Sequence, residues 1–539
     1  MNKQFLSTSV ALLLCLGCAA QKNTAEKFSE SINKANAYKH LSVLASDEYE
    51  GRETGKKGAW MAADYIRDYF KSLGLTAPVN GSYFQPIDMV TYNLSGMKLS
   101  VNGQAKEYGK DFVVSSSTVT LGGFNFNASD IVFAGYGLDQ QGYNDFAGID
   151  VAGKVVLIFG SGDPTIKGGP AVPADRASRR KMIAAQQGKI QYLAEHKALA
   201  VIQIDPNLDH MTEEMKANYS GIGQPSLKNA ENTAKMQSSK TVASIRVSTA
   251  TANEILKTAG TTVAALQEKI TASVKPASQT VKVSVTGSAS KKEVKVRAEN
   301  VLGFLEGSDP ALKDEILVVT GHYDHIGLTT SGTDKVNNGA DDDGSGTTGV
   351  LMIADAFVKA KKAGKGPKRS ILFMTVVGEE KGLLGSEWYS EHPVFPLAKT
   401  ITDLNIDMIG RVDEAHKDNP EYIYIIGSDM LSSDLNAVGI KANDDNIRMN
   451  LDMKYNNRTD PNQFYYRSDH YNFAKHGIPV IFYFSGVHED YHQPGDEVGK
   501  INFDLLSKRA QLVYYTAWEL ANGAKRPVVD KNDDGTPKK

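Results

Sequence analysis

The chain has 539 residues, of which 41% are hydrophobic and 23% are charged, so its composition is that of a globular protein with room for two or three domains. Its 60 basic and 63 acidic residues nearly cancel, to a formal net charge of −3. A nucleic-acid-binding protein would carry a basic excess or a basic stripe, so the sequence predicts no nucleic-acid partner.

The first residues have the pattern of an export signal. Lys3 precedes an apolar run from Phe5 to Leu16, which is too short to span a bilayer comfortably. The run ends in Leu14-Cys15-Leu16-Gly17-Cys18, which resembles a bacterial lipobox, where the final Cys is lipidated and becomes the new N-terminus. An ordinary cleaved signal peptide is the alternative.

From this resemblance we predict a signal peptide over residues 1–17, a lipid on Cys18 and a polar tether over residues 18–35. The only cysteines are Cys15 and Cys18, so the mature chain has no intrachain disulfide and no cysteine nucleophile. One lipid group holds a protein on a membrane without a spanning helix, and we expect no other membrane contact. Because no Asp follows Cys18 closely, we expect an exported protein on the outer membrane, facing the periplasm.

Residues 36–124 form the first part of the main domain and begin with two helical patterns. Apolar residues recur at helical spacing from His40 to Ala45 and again from Trp60 to Leu73. Gly74 is typical of a helix end. The segment Tyr49-Glu50-Gly51-Arg52-Glu53-Thr54-Gly55 between the helices is predicted to be a loop.

Residues 125–280 are predicted to be a β-rich module inserted into the main domain. Gly-Tyr-Gly at 135–137 and Gly-Lys-Val-Val at 153–156 resemble the protease-associated domain, which implies a lid or substrate-access module without catalytic residues. An unspecialised α/β insertion is the alternative. The predicted elements are strands at Ile131–Tyr136, Val155–Phe159 and Ala200–Ile204 and a helix at Lys181–His196.

Residues 281–525 return to the main domain and alternate strands with helices. This alternation predicts an α/β fold with a mostly parallel central sheet and helices on both faces. The predicted strands are Ile316–Thr320, Ser370–Val377, Thr400–Ile406, Tyr422–Ile426 and Pro479–Phe484. The predicted helices are Thr347–Lys362, Leu384–Glu391, Leu431–Lys441 and Phe503–Leu520. Residues 526–539 are polar and charged and are predicted to be a disordered tail.

Imidazole and carboxylate side chains follow the strands of this predicted sheet. In an open α/β sheet, sites form at the carboxyl ends of the strands, so these side chains should converge on one edge. They are His322, Asp324, the acidic loop Gly339-Ala340-Asp341-Asp342-Asp343-Gly344-Ser345-Gly346, Glu379, Glu380, Asp407 and His492.

Carboxylates grouped with two histidines suit divalent metals, with zinc the leading candidate. Asp342 could bridge two ions. His322 and Asp407 would complete the shell of one ion, and Glu380 and His492 would complete the other. Two such ions can activate a shared water and polarise a carbonyl group.

Two further carboxylates have supporting roles in this arrangement. Glu379 has no ligand role, so it could take a proton from the water and pass it to the leaving amine. Asp324 could hold the second imidazole nitrogen of His322, as metal-bound histidines usually require. Five further histidines are assigned no ligand role, and His470 is the best candidate among them for a supporting contact; they are His325, His392, His470, His476 and His488.

These motifs resemble the motif series of the co-catalytic zinc aminopeptidases, the family that includes aminopeptidase Y, the Vibrio/Streptomyces-type aminopeptidases and the glutamate carboxypeptidases. The resemblance covers roughly residues 36–523 and implies a zinc-exopeptidase (phosphorylase/hydrolase-like) fold with two zinc ions per subunit. It assigns Glu379 as the general base. The ligands that it implies are His322, Asp342, Glu380, Asp407 and His492.

The resemblance implies a secreted, lipid-anchored metallo-aminopeptidase that hydrolyses the N-terminal bond of peptide substrates. Glu379 would activate a water that bridges the metals. In glutamate-carboxypeptidase-like relatives a Tyr at the place of Tyr491 assists the tetrahedral intermediate, and plain packing is the alternative role for this residue.

Three other functions stay open. A carboxypeptidase or dipeptidase of the same family would need a basic clamp, for which Arg411, Arg458 and Arg467 are available. A glutaminyl cyclase is disfavoured by the inserted module and by Tyr491, where such cyclases tend to carry Trp. A non-catalytic, receptor-like scaffold is least favoured, because such a protein would have lost ligands and this chain has the full set.

Overall fold

The computed structural model of the protein describes residues 24–538, apart from 167–175, 213–218, 220, 230–231 and 233–241. The predicted signal peptide and Cys18 lie outside the described residues. The chain divides into two compact units, of which the first comprises Met1–Met89 and Val296–Lys539 and the second comprises Val90–Lys295.

The first unit begins with two helices and a short strand. They are α1 (Lys34–Leu44), α2 (Lys57–Leu73) and β1 (Phe84–Pro86). Gly74 ends α2 with φ +84°, a left-handed conformation that glycine adopts without steric cost, which confirms the predicted helix end.

The chain before α1 is packed where the sequence predicted a tether. Phe28 and Ile32 are buried, and the hydroxyl groups of Ser29 and Tyr515 lie 2.8 Å apart in a hydrogen bond. Apolar side chains in the segment 24–33 therefore join the fold, so a free tether over residues 18–35 would extend no further than residue 24.

The second unit contains thirteen strands and three helices within its described residues. The strands are β2 (Met89–Val101), β3 (Gln104–Ala105), β4 (Phe112–Val114), β5 (Phe124–Ala128), β6 (Ile131–Phe133), β7 (Asp139–Gln140), β8 (Tyr143–Asn144), β9 (Val155–Phe159), β10 (Ala200–Ile204), β11 (Ser226–Leu227), β12 (Ser244–Val247), β13 (Gln279–Val281) and β14 (Val285–Val296). The helices are α3 (Arg176–Glu195), α4 (Thr249–Leu256) and α5 (Val263–Ser273).

These strands form two main sheets. A six-stranded sheet has the order β13-β6-β9-β10-β12-β4, and its central strands β6, β9, β10 and β12 are parallel. A five-stranded sheet has the order β11-β2-β14-β5, with β3 paired to β2. Because β2 neighbours β14 in this sheet, the compact unit takes in residues 90–124 and 281–295, outside the predicted insertion at 125–280. Its relation to the protease-associated domain stays a prediction.

The rest of the first unit alternates strands and helices, as the sequence predicted. The strands are β15 (Glu299–Leu305), β16 (Ile316–His322), β17 (Ser370–Val376), β18 (Thr400–Ile406), β19 (Tyr422–Ile426), β20 (Asn450–Asp452) and β21 (Val480–Phe484). The helices are α6 (Gly346–Lys362), α7 (Leu384–Glu391), α8 (Ser433–Ala442), α9 (His470–Ala474) and α10 (Phe503–Asn522).

The sheet of the first unit has eight strands in the order β1-β15-β17-β16-β18-β21-β19-β20. Its central strands β17, β16, β18 and β21 are parallel, whereas β1, β15 and β19 pair antiparallel to their inner neighbours. The predicted parallel arrangement is therefore confirmed for the central strands. The antiparallel pairing of β1, β15 and β19 is a feature that the sequence did not predict.

Both faces of this sheet are covered by helices. Every residue of β16, β17 and β18 is buried, as expected for parallel strands between two helical layers. On one face Phe373 meets Phe357 of α6 at 6.3 Å between ring centroids. On the other face Leu372 belongs to a buried cluster that includes Tyr389 of α7 and Phe473 of α9.

The C-terminal tail is held to the first unit, contrary to the predicted disorder over residues 526–539. The side chain of Asp530 accepts a hydrogen bond from the backbone N–H of Ser433 at 3.0 Å, at the start of α8. Lys531 pairs with Asp429. The polar composition of the tail reflects contacts with other polar groups rather than disorder.

Among the described helices, none has both the length and the apolar character needed to cross a bilayer.

Candidate metal centre

The predicted site residues come together at the carboxyl edge of the eight-stranded sheet. His322 is the last residue of β16, Asp407 follows β18 directly, and Glu379 and Glu380 follow β17 within a short loop. Because β16, β17 and β18 are parallel neighbours, their ends meet at one edge. The residues predicted as ligands converge there: His322, Asp342, Glu380, Asp407 and His492.

One group of donors consists of His322, Asp342 and Asp407. The Nε2 atom of His322 lies 3.4 Å from Oδ1 of Asp342 and 3.7 Å from Oδ2 of Asp407. All three residues are buried. These atoms are close enough to coordinate one ion together.

A second group consists of Asp342, Glu380, His492 and His325. The Nε2 atom of His492 lies 3.1 Å from Oδ2 of Asp342 and 3.2 Å from Oε2 of Glu380. Asp342 thus turns one carboxylate oxygen to each group. It is the one residue that the two groups have in common within the described residues.

The three successive aspartates of the acidic loop have different roles. Asp343 faces away from the donor groups, and its carboxylate accepts the backbone N–H groups of His322 at 3.1 Å and Met408 at 3.0 Å. The Oδ1 atom of Asp341 accepts the N–H of Gly410 at 2.6 Å. Of the three, Asp342 alone contributes to the donor groups.

Asp496 ties the loop of His492 to the loop of Asp342. Its carboxylate accepts the backbone N–H groups of Asp341 and Asp342, each at 3.0 Å. Burial is the main reason that the pKa of Asp496 is raised to about 6, and the negative charge of Asp341 raises it further. Sequence analysis did not identify this contact, because an Asp after a Gly in a loop has many other uses.

Asp324 supports His322 through a different atom than predicted. The Nδ1 atom of His322 lies 3.0 Å from the main-chain oxygen of Asp324, whereas the carboxylate Oδ1 is 3.8 Å away. The carboxylate instead accepts the hydroxyl of Thr54 at 2.5 Å. Donation from Nδ1–H to a carbonyl leaves the Nε2 lone pair directed at the donor group, which is the arrangement that metal-bound imidazoles require.

Glu379 lines a small cavity of about 30 Å³ beside the donor groups. Burial is the main cause that raises the pKa of Glu379 well above its ordinary value, and the nearby charges of Glu380 and Asp407 act in the same direction. A carboxylate with a raised pKa is a stronger proton acceptor. Glu379 contributes to neither donor group, which leaves it free to exchange protons.

The rest of the cavity wall is largely apolar. Asp342, Glu379 and Asp407 form its acidic end, and Arg467 and Ser468 are further polar lining residues. The Ser468 hydroxyl donates to Oδ2 of Asp407 at 2.7 Å. The apolar and aromatic lining residues are Met408, Phe464, Phe482, Phe484, Val487 and Tyr491.

Tyr491 and His492 are consecutive and stack, with ring centroids 3.9 Å apart. The ring of Tyr491 therefore supports the imidazole while its edge faces the cavity. Burial is the main cause that raises the pKa of the Tyr491 phenol well above its ordinary value, and the negative charge of Asp342 acts in the same direction. The phenol stays protonated at neutral pH and can donate a hydrogen bond.

His325 is the residue of the second group that sequence analysis missed. It is fully buried, and its Nδ1 atom lies 2.9 Å from Oε1 of Glu380 and 3.7 Å from Oδ2 of Asp342. The sequence analysis gives it no ligand role, since the motif series is complete without it. His470, the suggested supporting residue, instead stacks on Phe482 at 4.7 Å, and its neighbour Ser468 makes the contact with the donor group.

Buried polar atoms that lack a hydrogen-bond partner are available to coordinate an ion, so they test whether these residues could bind metal. Within the described residues they include Nε2 of His322, Oδ2 of Asp342 and Nε2 of His492. Leaving such atoms unpaired in the interior costs free energy. Imidazole nitrogens and carboxylate oxygens are the ligands that zinc prefers, so the donor set fits two divalent ions that share Asp342.

Without metal, the same contacts hold the imidazole of His492 in its charged form. Burial opposes a positive charge on His492, but the carboxylates of Asp342 and Glu380, at 3.1 Å and 3.2 Å, outweigh it and raise its pKa to about 10. The pKa of Asp342 is held well below its ordinary value, because the surrounding imidazoles outweigh the effect of burial. Metal binding therefore releases a proton from His492.

Part of the chain matches a known protein family. Residues 300–517 match the model of peptidase family M28. A probable zinc metalloprotease of Pyrenophora tritici-repentis is 28% identical over 281 residues, which are 45% of this chain and 56% of that protein. A probable leucine aminopeptidase of Trichophyton verrucosum is 30% identical over 222 residues, which are 39% of this chain and 56% of that protein. The chain spans about half the length of the curated relatives it matches.

The fold of the protein is also found among solved structures. The aminopeptidase from Aneurinibacillus sp. strain AM-1 superposes with a TM-score of 0.52, over 96% of this chain and 100% of that chain, at 18% identity. At this identity the likeness shows the fold alone. The family match over residues 300–517 confirms the resemblance predicted from the motifs.

Proposed function

We propose that the protein is an exported, lipid-anchored zinc aminopeptidase, on the basis of the match of residues 300–517 to the model of peptidase family M28. It hydrolyses the N-terminal bond of peptides with two zinc ions per subunit. His322 and Asp407 would hold one ion, Glu380 and His492 would hold the other, and Asp342 would contribute to both.

One observation carries this proposal: the two donor groups share Asp342 and lie beside a carboxyl group that neither group uses. A single structural ion would need only one group of donors. Two shared groups next to a free Glu are the arrangement expected for a hydrolytic centre.

Two bound zinc ions would lower the pKa of a coordinated water and polarise the scissile carbonyl. Glu379 takes the proton of the attacking water and returns it to the departing amine. The Tyr491 phenol donates to the carbonyl oxygen as negative charge develops on it. Stacking against His492 limits how far this phenol can move.

The cavity wall supports a preference for an apolar N-terminal side chain. Met408, Phe464 and Phe482 line it, and a branched aliphatic or aromatic side chain would bury its surface against them. We expect leucyl and phenylalanyl substrates to be cleaved faster than aspartyl or glycyl substrates.

A substrate screen tests the proposal. The purified protein is assayed with aminoacyl peptides, the same peptides with a blocked N-terminus, and peptides that begin with glutamine, before and after zinc is removed and restored. An aminopeptidase cleaves only the free peptides and only with zinc. Equal cleavage of the blocked peptides, or cyclisation of the N-terminal glutamine, would reject the assignment.

Arg467 favours a second candidate, a dipeptidase or carboxypeptidase. Of the three candidate clamp residues, Arg467 alone lines the cavity. Its guanidinium lies 4.9 Å from the Phe464 ring centroid, and no ion pair occupies it within the part of the chain that the structure describes. Arg411 already pairs with Asp490 at 3.0 Å, and Arg458 donates to the main-chain oxygen of Met430.

A free guanidinium in the cavity could bind a substrate carboxylate. If it does, Arg467→Gln raises KM for dipeptides more than tenfold and leaves KM for the amide of the same dipeptide unchanged. Arg458→Gln is the matched control and should change neither value. An equal change for the acid and the amide would remove the dipeptidase candidate.

Localisation is a separate part of the proposal and rests on the sequence of residues 1–18. Labelling of growing cells with radioactive palmitate should mark the wild-type protein and not a Cys18→Ser variant, which should move to the soluble fraction. A labelled Cys18→Ser protein would contradict the assigned anchor. We further propose that the second unit governs substrate access, as the predicted protease-associated domain implies.

A further inference from the structure

The loop between α1 and α2 places a buried arginine beneath the metal centre. Arg52 is 1% exposed and has φ +47°, an uncommon conformation for a residue with a side chain. Its preceding residues, Glu50 and Gly51, complete a motif that the proposed chemistry does not use.

Every nitrogen of the Arg52 guanidinium donates to a main-chain carbonyl. Nε donates to Tyr323 at 2.8 Å, and Nη2 donates to Gly339 at 2.9 Å. Nη1 donates to Leu44 and to Asn338, both at 2.6 Å. These short bonds from a charged donor are stronger than bonds between neutral groups.

Three of these four carbonyls belong to the segments that carry His322 and Asp342, and the fourth, that of Leu44, ends α1. Tyr323 follows His322 directly, and Asn338 and Gly339 begin the loop that contains Asp342. A single side chain therefore bridges the backbone supports of both donors, whose atoms lie 3.4 Å apart.

The backbone of the same loop adds to this link. The N–H of His325 donates to the carbonyl of Arg52 at 3.0 Å, and the N–H of Gly327 donates to the carbonyl of Gly51 at 3.0 Å. A Cβ atom on Gly51 would lie 2.4 Å from the main-chain oxygen of Asn337, so only glycine fits there.

Arg52 also supplies a fixed positive charge to an acidic region. Its guanidinium interacts electrostatically with the carboxylates of Asp496, Asp342 and Asp324. Within the described residues it forms no ion pair with a carboxylate at 4 Å or less. Its hydrogen bonds are used to fix main-chain carbonyls, while its charge offsets the repulsion among neighbouring carboxylates at longer range.

We propose that Arg52 is a positioning residue of the metal centre, which holds the loops of His322 and Asp342 at coordinating distance before the metal binds. A preorganised site binds more tightly, because less conformational entropy is lost on binding. This role rests on the proposed function only because both involve the same metal centre. The test measures zinc binding, which does not require peptidase activity.

Arg369 provides a matched control. It is also 1% exposed and donates to two main-chain carbonyls, those of Leu520 at 3.0 Å and Gly523 at 2.6 Å. It precedes β17 at the amino end of the strand, opposite the metal centre. Loss of either arginine removes a buried charge and several hydrogen bonds, so both variants should lose stability.

The experiment compares Arg52→Met, Arg52→Lys and Arg369→Met with the wild type. The dissociation constants for zinc are measured by competition with a chelator, and thermal unfolding of the metal-free proteins is followed in parallel. We expect Arg52→Met to raise the dissociation constants 10–100-fold, the range found when supporting residues of metal sites are removed. Arg52→Lys keeps the charge but fewer hydrogen bonds and should fall between, and Arg369→Met should bind zinc like the wild type.

Wild-type zinc affinity in folded Arg52→Met, or equal losses of affinity in Arg52→Met and Arg369→Met, would overturn the proposal. If Arg52→Met does not fold, Arg52→Lys decides, and wild-type affinity in that variant would reject the positioning role. A protein that binds zinc as expected but cleaves no peptide would reject the proposed function and leave the role of Arg52 intact.

Discussion

Each unit contains a sheet with parallel central strands, and the polar residues at the two carboxyl edges are used differently. In the first unit, donor atoms of His322, Asp342 and His492 meet without hydrogen-bond partners. In the second unit, Asp205 follows β10 and accepts the N–H of Asn207 at 3.1 Å and a guanidinium nitrogen of Arg246 at 3.4 Å. Ser248 follows β12 and caps α4 through the N–H of Thr251.

The difference shows that a parallel-sheet edge supplies positions for a site but does not make one. Where polar side chains satisfy loops and helix ends, they stabilise the fold. Where several converge with unpaired atoms, they lower fold stability in the absence of a ligand and can bind one. The four predictions below test this contrast, in order of decreasing effect.

The largest effect is expected for Asp342→Ala, because both donor groups lose their shared ligand. Metal analysis of the purified variant should find neither ion at the wild-type level, and peptidase activity should fall below detection. Asp314→Ala, an exposed acid before β16, is the control and should match the wild type in both measurements. Retention of two ions by Asp342→Ala would show that the groups do not share a bridge.

Glu379→Gln should lower kcat by about 10² to 10⁴, the contribution expected of a general acid–base group, with metal content near that of the wild type. The amide keeps the shape of the side chain but cannot accept the proton. Glu391→Gln, on the exposed end of α7, controls for loss of an acid elsewhere. Undiminished turnover by the Glu379 variant would disprove its assignment as the base.

His325→Gln should weaken metal binding by about 10-fold to 100-fold, as expected for a residue that holds a ligand carboxylate. Its Nδ1 atom lies 2.9 Å from Glu380, so its loss frees that ligand to rotate. Competition with a chelator measures the affinity, and exposed His392 provides the control as His392→Gln. Equal affinities in the two variants would mean that His325 only fills space.

The smallest effect is expected in the second unit, for Arg246→Met. The Arg246–Asp205 pair is partly exposed, so its loss should change the free energy of unfolding by less than about 1 kcal/mol. Urea unfolding and peptidase assays should show a nearly unchanged midpoint and unchanged kcat. Loss of metal from this variant would contradict the conclusion that the carboxyl edge of the sheet in the second unit stabilises the fold and has no part in the metal centre.

The central strands, and the meeting of the predicted donors at one edge of the sheet, could be predicted from the sequence for physical reasons. Buried parallel strands such as Ser370–Val376 are nearly continuous apolar runs, and these are visible without knowledge of their partners. The ends of such strands are therefore visible too, and Asp407 and Glu380 could be placed at one edge of the sheet before the structure was known.

Pairing between distant segments could not be predicted in the same way. Strands β2 and β14 neighbour each other although nearly two hundred residues separate them, and this pairing extends the second unit beyond the predicted insertion. Local patterns do not encode such partners. The edge strands β1 and β20 are only three residues long, too short for periodicity to be measured.

The supporting contacts of the site were the least predictable part. Asp324 supports His322 through its main-chain oxygen, which every residue possesses. Ser468 contacts Asp407 through a hydroxyl group that is common in loops. Such roles depend on the final positions of atoms, so residue type and spacing cannot reveal them.

The central claim is that the two donor groups bind two metal ions that hydrolysis requires, and a zinc titration of the metal-free protein tests it most directly. Bound zinc and hydrolysis of a leucyl peptide are measured after each addition. The account predicts two tightly bound equivalents per chain and activity that returns as they bind. Binding of one equivalent or fewer, or full activity in the presence of a chelator, would contradict it.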